Sequence, residues 1–162
     1  WIWMGICVVF EVAFTFVVQS VYSTSIEKNR FSVKCLTVST KNFSLQNFLV
    51  DTGAVITCCQ YRFLDKNMQE KDVLEYETRI IGGLVSGSNV KFYRYPLRQF
   101  TVGNIDMGKQ DIWITFDKRV TDVILGMDIL RQIILIMNPY NRKVYFCKDI
   151  MDYQENFELA IS

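Results

Sequence analysis

Phe48-Leu49-Val50-Asp51-Thr52-Gly53-Ala54 decides how the chain reads, because an apolar run ends there on a carboxylate, a hydroxyl and a glycine. Three apolar residues in succession suit the end of a buried strand. An ionised Asp in that place is costly unless it is paired or hydrogen-bonded. Gly53 lets the chain turn sharply and brings backbone N–H groups toward the carboxylate, while Thr52 offers a hydroxyl to lock the loop. The plain reading is an Asx-type turn closing an ordinary strand. A bare Asp-Thr-Gly leaves that reading about even with a chemical one.

Two other stretches move the balance. Downstream comes Val123-Ile124-Leu125-Gly126-Met127-Asp128-Ile129-Leu130, an apolar strand, a glycine and the start of a short helix. Asp128 there reads as a helix-capping residue rather than a second catalytic acid. Between the two lies Ile80-Ile81-Gly82-Gly83-Leu84, which opens a glycine-rich tip running to Ser88 between strand-forming segments.

Outward from these, the pattern is β throughout. Residues 31–40 are rich in Val, Thr and Phe, Lys41-Asn42 is a turn signal, and 43–50 is the partner strand. Residues 61–75 carry mixed charge and helix formers, as a short helix or loop would, and the run of mixed charges from Asp65 through Glu77 to Arg79 reads as a solvated surface. Residues 77–81 lead into the glycine-rich tip, and 90–102 leave it as a strand interrupted at Pro96. Gly103-Asn104 and Met107-Gly108 are tight turns, 110–116 is a strand, 123–125 a short buried run and 128–132 one or two helical turns. Residues 133–137 and 143–147 form a last pair. Trp113 reads as core or interface. Short strands with turns every 8–12 residues indicate an all-β sandwich or barrel.

Composition sets the exclusions. The 162 residues give room for one domain with a sizeable core, half of them apolar and 14% aromatic, which rules out a disordered chain. A formal net charge of +1 gives no reason to expect nucleic acid as partner. Histidine is absent, so Ser-His-Asp and Cys-His catalysis and the common His-based zinc sites are excluded. Acid–base work then falls to carboxylates, or to a perturbed Lys, Tyr or Cys. The five cysteines form no C-x-x-C and read as small buried hydrophobes in a reducing compartment, so no metal is expected.

Residues 1–18 are almost wholly apolar, which is about the length of a membrane span. Glu11 in mid-run, the lack of a basic segment before it and the alternation of Val12, Phe14, Phe16 and Val18 favour a strand over 12–19 instead. Residues 1–11 read as an apolar extension of unassigned role, 12–150 as the domain and 151–162 as a tail. The expected location is the cytoplasm, the alternative being a membrane anchor through the apolar segment.

The order of strand–DTGA, Ile-Ile-Gly-Gly and Ile-Leu-Gly-x-Asp resembles that of the retropepsin-like aspartic proteases, over roughly residues 12–148. Leu125-Gly126-Met127-Asp128 looks most like the bacterial members. The resemblance implies a closed acid-protease barrel with one short C-terminal helix, supplying half of an active site. It implies that Asp51 is the catalytic aspartate, that the Thr52 hydroxyl bonds across a dimer axis, and that Gly53 and Ala54 complete the active-site loop. It further implies substrate contacts from Ala54 and from a flap carrying Ile81, Gly82, Gly83 and Leu84. Val55 and Ile56 stand where viral members carry acidic residues that clamp the substrate backbone, and Met127 where a basic residue is common.

The expected activity is therefore that of an aspartic endopeptidase acting on a peptide or protein substrate without metal or organic cofactor. One Asp-Thr-Gly and no Asp-Ser-Gly occur in the chain, so the second aspartate is expected from an identical chain in a homodimer. Two rivals stand beside it. One is a catalytically silent module of the same fold, used for dimerisation or binding. The other is a membrane-tethered β domain with a ligand-binding role, resting on residues 1–18.

Overall fold

Alternation of apolar and polar side chains builds most of this molecule, and a computed structural model describes residues 21–27, 30–138 and 140–148 of it. Twelve strands follow in chain order: β1 (Val21–Glu27), β2 (Arg30–Val38), β3 (Phe43–Val50), β4 (Cys58–Gln60), β5 (Thr78–Val85), β6 (Ser88–Leu97), β7 (Gln99–Val102), β8 (Ile105–Asp106), β9 (Gln110–Thr115), β10 (Ile124–Leu125), β11 (Ile134–Asn138) and β12 (Lys143–Cys147). A single-turn helix α1 (Met127–Leu130) follows β10. Neighbouring strands pair in the order β11-β12-β1-β2-β3-β10-β4-β9-β6-β5, with β7 pairing β2 and β8. Residues 61–75 resolve into two 3-10 turns, Tyr61–Phe63 and Glu70–Val73, the second closed by a Gln69–Asp72 capping box.

The β2–β3 ladder runs in register from Ser32↔Leu49 to Val38↔Phe43 and sets the larger core. Val33 and Cys35 on β2 and Phe48 and Val50 on β3 point inward. Phe48 meets Phe100 edge-on at 5.5 Å between ring centroids. Ile112, Ile114, Leu125, Ile129 and Phe146 belong to the same cluster. A smaller cluster of Ile56, Cys58, Val90, Phe92, Trp113, Val120 and Ile124 lies beside it, with Ala54, Ile81, Leu84 and Val85 packed on its edge. Each large apolar side chain buried in these clusters contributes about 1.5–3 kcal/mol.

Three expectations shift in position. The break in the 90–102 strand falls at Arg98, and Pro96 sits within β6, opposite Asp111 of β9. Its missing N–H is tolerated there because β5 pairs β6 only as far as Thr78↔Tyr93, which leaves β6 a single ladder partner at Pro96. The glycine-rich tip divides likewise. Gly82 and Gly83 lie inside β5 at a register shift, Gly83 with φ of 90°, and the turn itself is Ser86-Gly87. A bulge accounts for that φ, which side-chain-bearing residues rarely adopt. The third shift concerns α1, which starts at Met127 with Gly126 in the capping position, so Asp128 lies within the first turn and is not the cap.

The strand expected at 12–19, the extension 1–11 and the tail 151–162 lie outside the described residues. β1 was not anticipated, and it pairs β12 from Val21↔Cys147 to Ser25↔Lys143 and β2 at Ile26↔Phe31. Among the described residues no helix is long and apolar enough to cross a membrane.

Candidate active site

β10 is the element that positions Asp51. It inserts between β3, which it pairs in parallel (Ile124↔Leu49, Leu125↔Val50), and β4, which it pairs antiparallel (Ile124↔Cys58). Backbone bonds tie the end of β3 to it, from Leu49 N to Val123 O at 2.7 Å and from Asp51 N to Leu125 O at 3.1 Å. Asp51 therefore leaves the sheet at a fixed height and angle. The chain then turns, with Ala54 N donating to Asp51 O at 3.2 Å and Gly53 N to Asp51 Oδ1 at 2.9 Å. The second of these is the loop amide directed at the carboxylate that the sequence calls for.

The return side of the loop is clamped by the start of α1. Met127 N donates to Ala54 O at 2.8 Å and Asp128 N to Val55 O at 3.2 Å. So close an approach demands glycine at 126, since a Cβ there would stand 2.3 Å from Ile56 O. Gly126 is extended, so the requirement is steric and not conformational.

Within this chain it is Thr57 that locks the loop. Thr52 is exposed, and its hydroxyl bonds to nothing among the described residues. Thr57 is fully buried. Its hydroxyl donates to Asp128 Oδ1 at 2.6 Å and accepts from Gly126 N at 3.0 Å, while Thr57 N donates to Asp128 Oδ2 at 2.9 Å. Asp128 thus holds the strand entering β4, a role that a capping assignment misses. The signal for Thr57 in the sequence was a hydroxyl inside the apolar run Ile56-Thr57-Cys58, since a buried hydroxyl needs a partner.

Asp51, half-buried, opens into a cleft of about 560 Å³. Gly53, Ala54, Val55, Ile56 and Cys58 line one side, and Arg79, Ile80, Ile81, Gly82, Gly83 and Leu84 of β5 the other. Of the residues singled out from the sequence, Asp51, Gly53, Ala54, Ile81, Gly82, Gly83 and Leu84 come together here, and Thr52 does not line the cleft. Arg79 and Cys58 were not anticipated in it. Burial, with the nearby carboxylates of Asp128, Asp51 and Asp122 adding to it, pushes the Cys58 thiol up to about 12, so it stays protonated and inert at neutral pH. Cys35 and Cys59 are likewise free and buried, and Cys147 is buried. Trp113, also buried, carries the Arg79 guanidinium 4.7 Å from its ring centroid. Among the described residues no three His, Cys, Asp or Glu side chains converge as metal ligands do.

The fold has solved counterparts. A retropepsin-like aspartic protease from Rickettsia conorii superposes with a TM-score of 0.58 at 16% identity, over 78% of this chain and 89% of that one. The EIAV protease complexed with the inhibitor HBY-793 aligns at a TM-score of 0.44 and 24% identity, over 67% of this chain and 91% of that one. No curated protein matches the chain. The sequence model described as aspartyl protease matches residues 36–129, a span that runs from β2 through the Asp51 loop and β10 into α1. That match takes in more than half the chain, with Asp51-Thr52-Gly53 intact inside it, and the chain belongs to the aspartyl protease family, with a retropepsin-like all-β fold.

Proposed function

We propose that the protein is an aspartic endopeptidase whose active site forms when two copies pair about a two-fold axis. The observation that carries this reading is Asp51, fixed by β10 and the Gly53 amide, opening into a cleft of about 560 Å³ walled by β5. The exposed Thr52–Gly53 tip and the exposed Val55 face away from the chain's own core, as groups covered by a second copy would. Two such loops would bring the Asp51 carboxylates to about 3 Å, where like charges cannot both ionise cheaply and the pair shares one proton.

In the proposed reaction the ionised member takes a proton from a water as its oxygen adds to the scissile carbonyl. The protonated member donates to the carbonyl oxygen. Collapse of the tetrahedral species breaks the C–N bond, and the amine leaves with a proton returned from the pair. Thr52 and Gly53 serve the pair by holding the loop across the axis and orienting the Asp51 carboxylate. Ala54, Ile81, Gly82, Gly83 and Leu84 hold the peptide, with the β5–β6 hairpin closing over it as a flap. The intact Asp-Thr-Gly beside an open cleft favours this over a silent module of the same fold.

A fluorogenic peptide library incubated with wild type and Asp51→Asn at several pH values tests the proposal. The variant should lose at least about a thousand-fold in turnover with its fold retained. Excess Asp51→Asn chain should poison wild type through mixed pairs, and specific activity should fall on dilution. Wild-type rates in Asp51→Asn, or full activity in a sedimenting monomer, would overturn it.

A further inference from the structure

One wall of the cleft carries a cation. Of the residues lining it, only Asp51, Cys58 and Arg79 can ionise, and the Cys58 thiol stays neutral. The Arg79 guanidinium rests on the Trp113 ring, a stacking that limits its rotamers before any ligand arrives. Among the described residues its one ionic contact is Glu77 Oε1 at 3.5 Å, through a single nitrogen, and about half of the side chain is exposed. The other Glu77 oxygen goes to Arg94 at 3.0 Å. Arg94 is consumed further by Asp111 Oδ2, from Nε at 2.9 Å and Nη2 at 2.7 Å. Arg79 therefore keeps most of its five N–H donors open.

Past Arg79, Val55 and Ile56 the cleft continues into a second hollow of about 470 Å³, whose polar lining includes Asp111, Asp128, Arg94, Arg131, Gln110 and Gln132. Both carboxylates there are already engaged, Asp111 by Arg94 and Asp128 by Thr57. Gln110 and Gln132 bond each other at 3.1 Å. Arg131 is exposed and has no ion pair among the described residues. Open donors thus exceed open acceptors in the hollow that adjoins the cleft.

We infer that this wall selects peptides with an acidic side chain a few residues from the scissile bond, read by Arg79 with Arg131 behind it. The apolar positions Ala54, Ile81 and Leu84 take the residues next to the bond. The inference rests on the peptidase reading of the site. Two-fold pairing repeats Arg79 at both ends of the cleft, so the preference holds on either side of the bond.

The test takes a cleaved library peptide and places Glu, Gln or Lys at each position two to four residues from the scissile bond. Wild type should process the best Glu peptide about five-fold faster in kcat/KM than its Lys counterpart, the scale of a charge-assisted contact at a half-exposed arginine. Arg79→Gln should bring the ratio near one and Arg79→Glu should invert it. Lys41→Gln, in the exposed β2–β3 turn and outside both hollows, should keep it. Equal rates for the Glu and Lys peptides, or a ratio untouched in Arg79→Glu, overturn the inference and leave the peptidase standing. Reduced-amide versions of the same peptides, titrated onto Asp51→Asn by fluorescence polarisation, separate the two readings. Binding that follows the Arg79 charge without any cleavage by wild type sinks the peptidase alone, and neither cleavage nor charge-dependent binding sinks both.

Discussion

Replacing Thr57 by Val tests whether the Asp51 loop is held from beneath. The side chain is fully buried, and Val fills nearly the same volume without the hydroxyl. Two hydrogen bonds disappear, the one to Asp128 Oδ1 at 2.6 Å and the one from Gly126 N at 3.0 Å. Gly126 is buried, so its amide is left without a partner, at about 1–3 kcal/mol. Asp128 loses one donor but keeps Thr57 N at 2.9 Å and Ile129 N at 2.9 Å, so its loss is nearer about 1 kcal/mol. The sum is about 2–4 kcal/mol, or a fall in Tm of about 6–12 °C for a chain of this size. Thr57→Ser keeps the hydroxyl and drops a methyl group, for about 1 kcal/mol. Urea melts followed by tryptophan fluorescence measure both variants. A double-mutant cycle with Asp128→Asn should return a coupling of about 1 kcal/mol or more, since the two side chains share a bond. Thr57→Val as stable as wild type, with Thr57→Ser below it, would show that the methyl group and not the hydroxyl is what matters at this position.

Gly126→Ala should cost more than the about 1–3 kcal/mol usual for overpacking, because its Cβ meets backbone at 2.3 Å rather than a side chain that can swing away, and thermal melts would show it. A variant melting within about 2 °C of wild type would mean that α1 is free to back away from the loop. Acid titration should expose the Asp117–Arg119 pair. Side-chain hydrogen bonds from Arg119, helped by its backbone N–H and charge, lower Asp117 from 3.8 to about 2. A folded value below the unfolded one stabilises above about pH 4 and loses that contribution as pH falls toward 2. The stability gap between wild type and Asp117→Asn in urea melts should therefore be flat above about pH 5 and shrink below pH 4. A gap that does not change with pH would contradict the pairing.

Much of the site was legible because its requirements are local. A buried strand running into Asp-Thr-Gly forces a turn, and the turn forces an amide onto the carboxylate, as Gly53 N on Asp51 Oδ1 shows. Gly126 and the segment after it were legible as strand, glycine and helix. What was hidden depends on partners distant in sequence. Asp128 was read against its own helix, where a capping role is the nearest explanation, yet its carboxylate serves Thr57 of the strand entering β4. Arg79 was read as part of a solvated charge run, and only the β6–β9 ladder, which sets Trp113 opposite Arg94, and β5 beside it bring Arg79 over that ring. β1 escaped because Val21-Tyr22-Ser23-Thr24-Ser25 lacks a clear apolar alternation, and its place between β12 and β2 comes from ladders the sequence does not display.

The distribution of bonds around Asp51 also shows how the proposed half-site would be rigid at its carboxylate and open at its tip. From Leu49 to Thr57 the backbone is fastened to β10 and α1 at Leu49, Asp51, Ala54 and Val55, and then to Asp128 at Thr57. The stretch between those fastenings is Thr52–Gly53, whose single hydrogen bond among the described residues is the one Gly53 N makes with Asp51 Oδ1. Both residues are exposed, and the apolar Val55 and Ile80, which line the cleft, are 76% and 71% exposed to solvent. Exposed apolar groups scattered singly need no explanation, but two in the lining of a cleft, beside a loop tip with an unused hydroxyl, make a surface that gains by being covered. The proposed second copy would cover it while adding the carboxylate this chain lacks. Because Asp51 is fixed through its own chain, the proposed pairing would only have to bring two preset loops together, with little further ordering of each loop to offset.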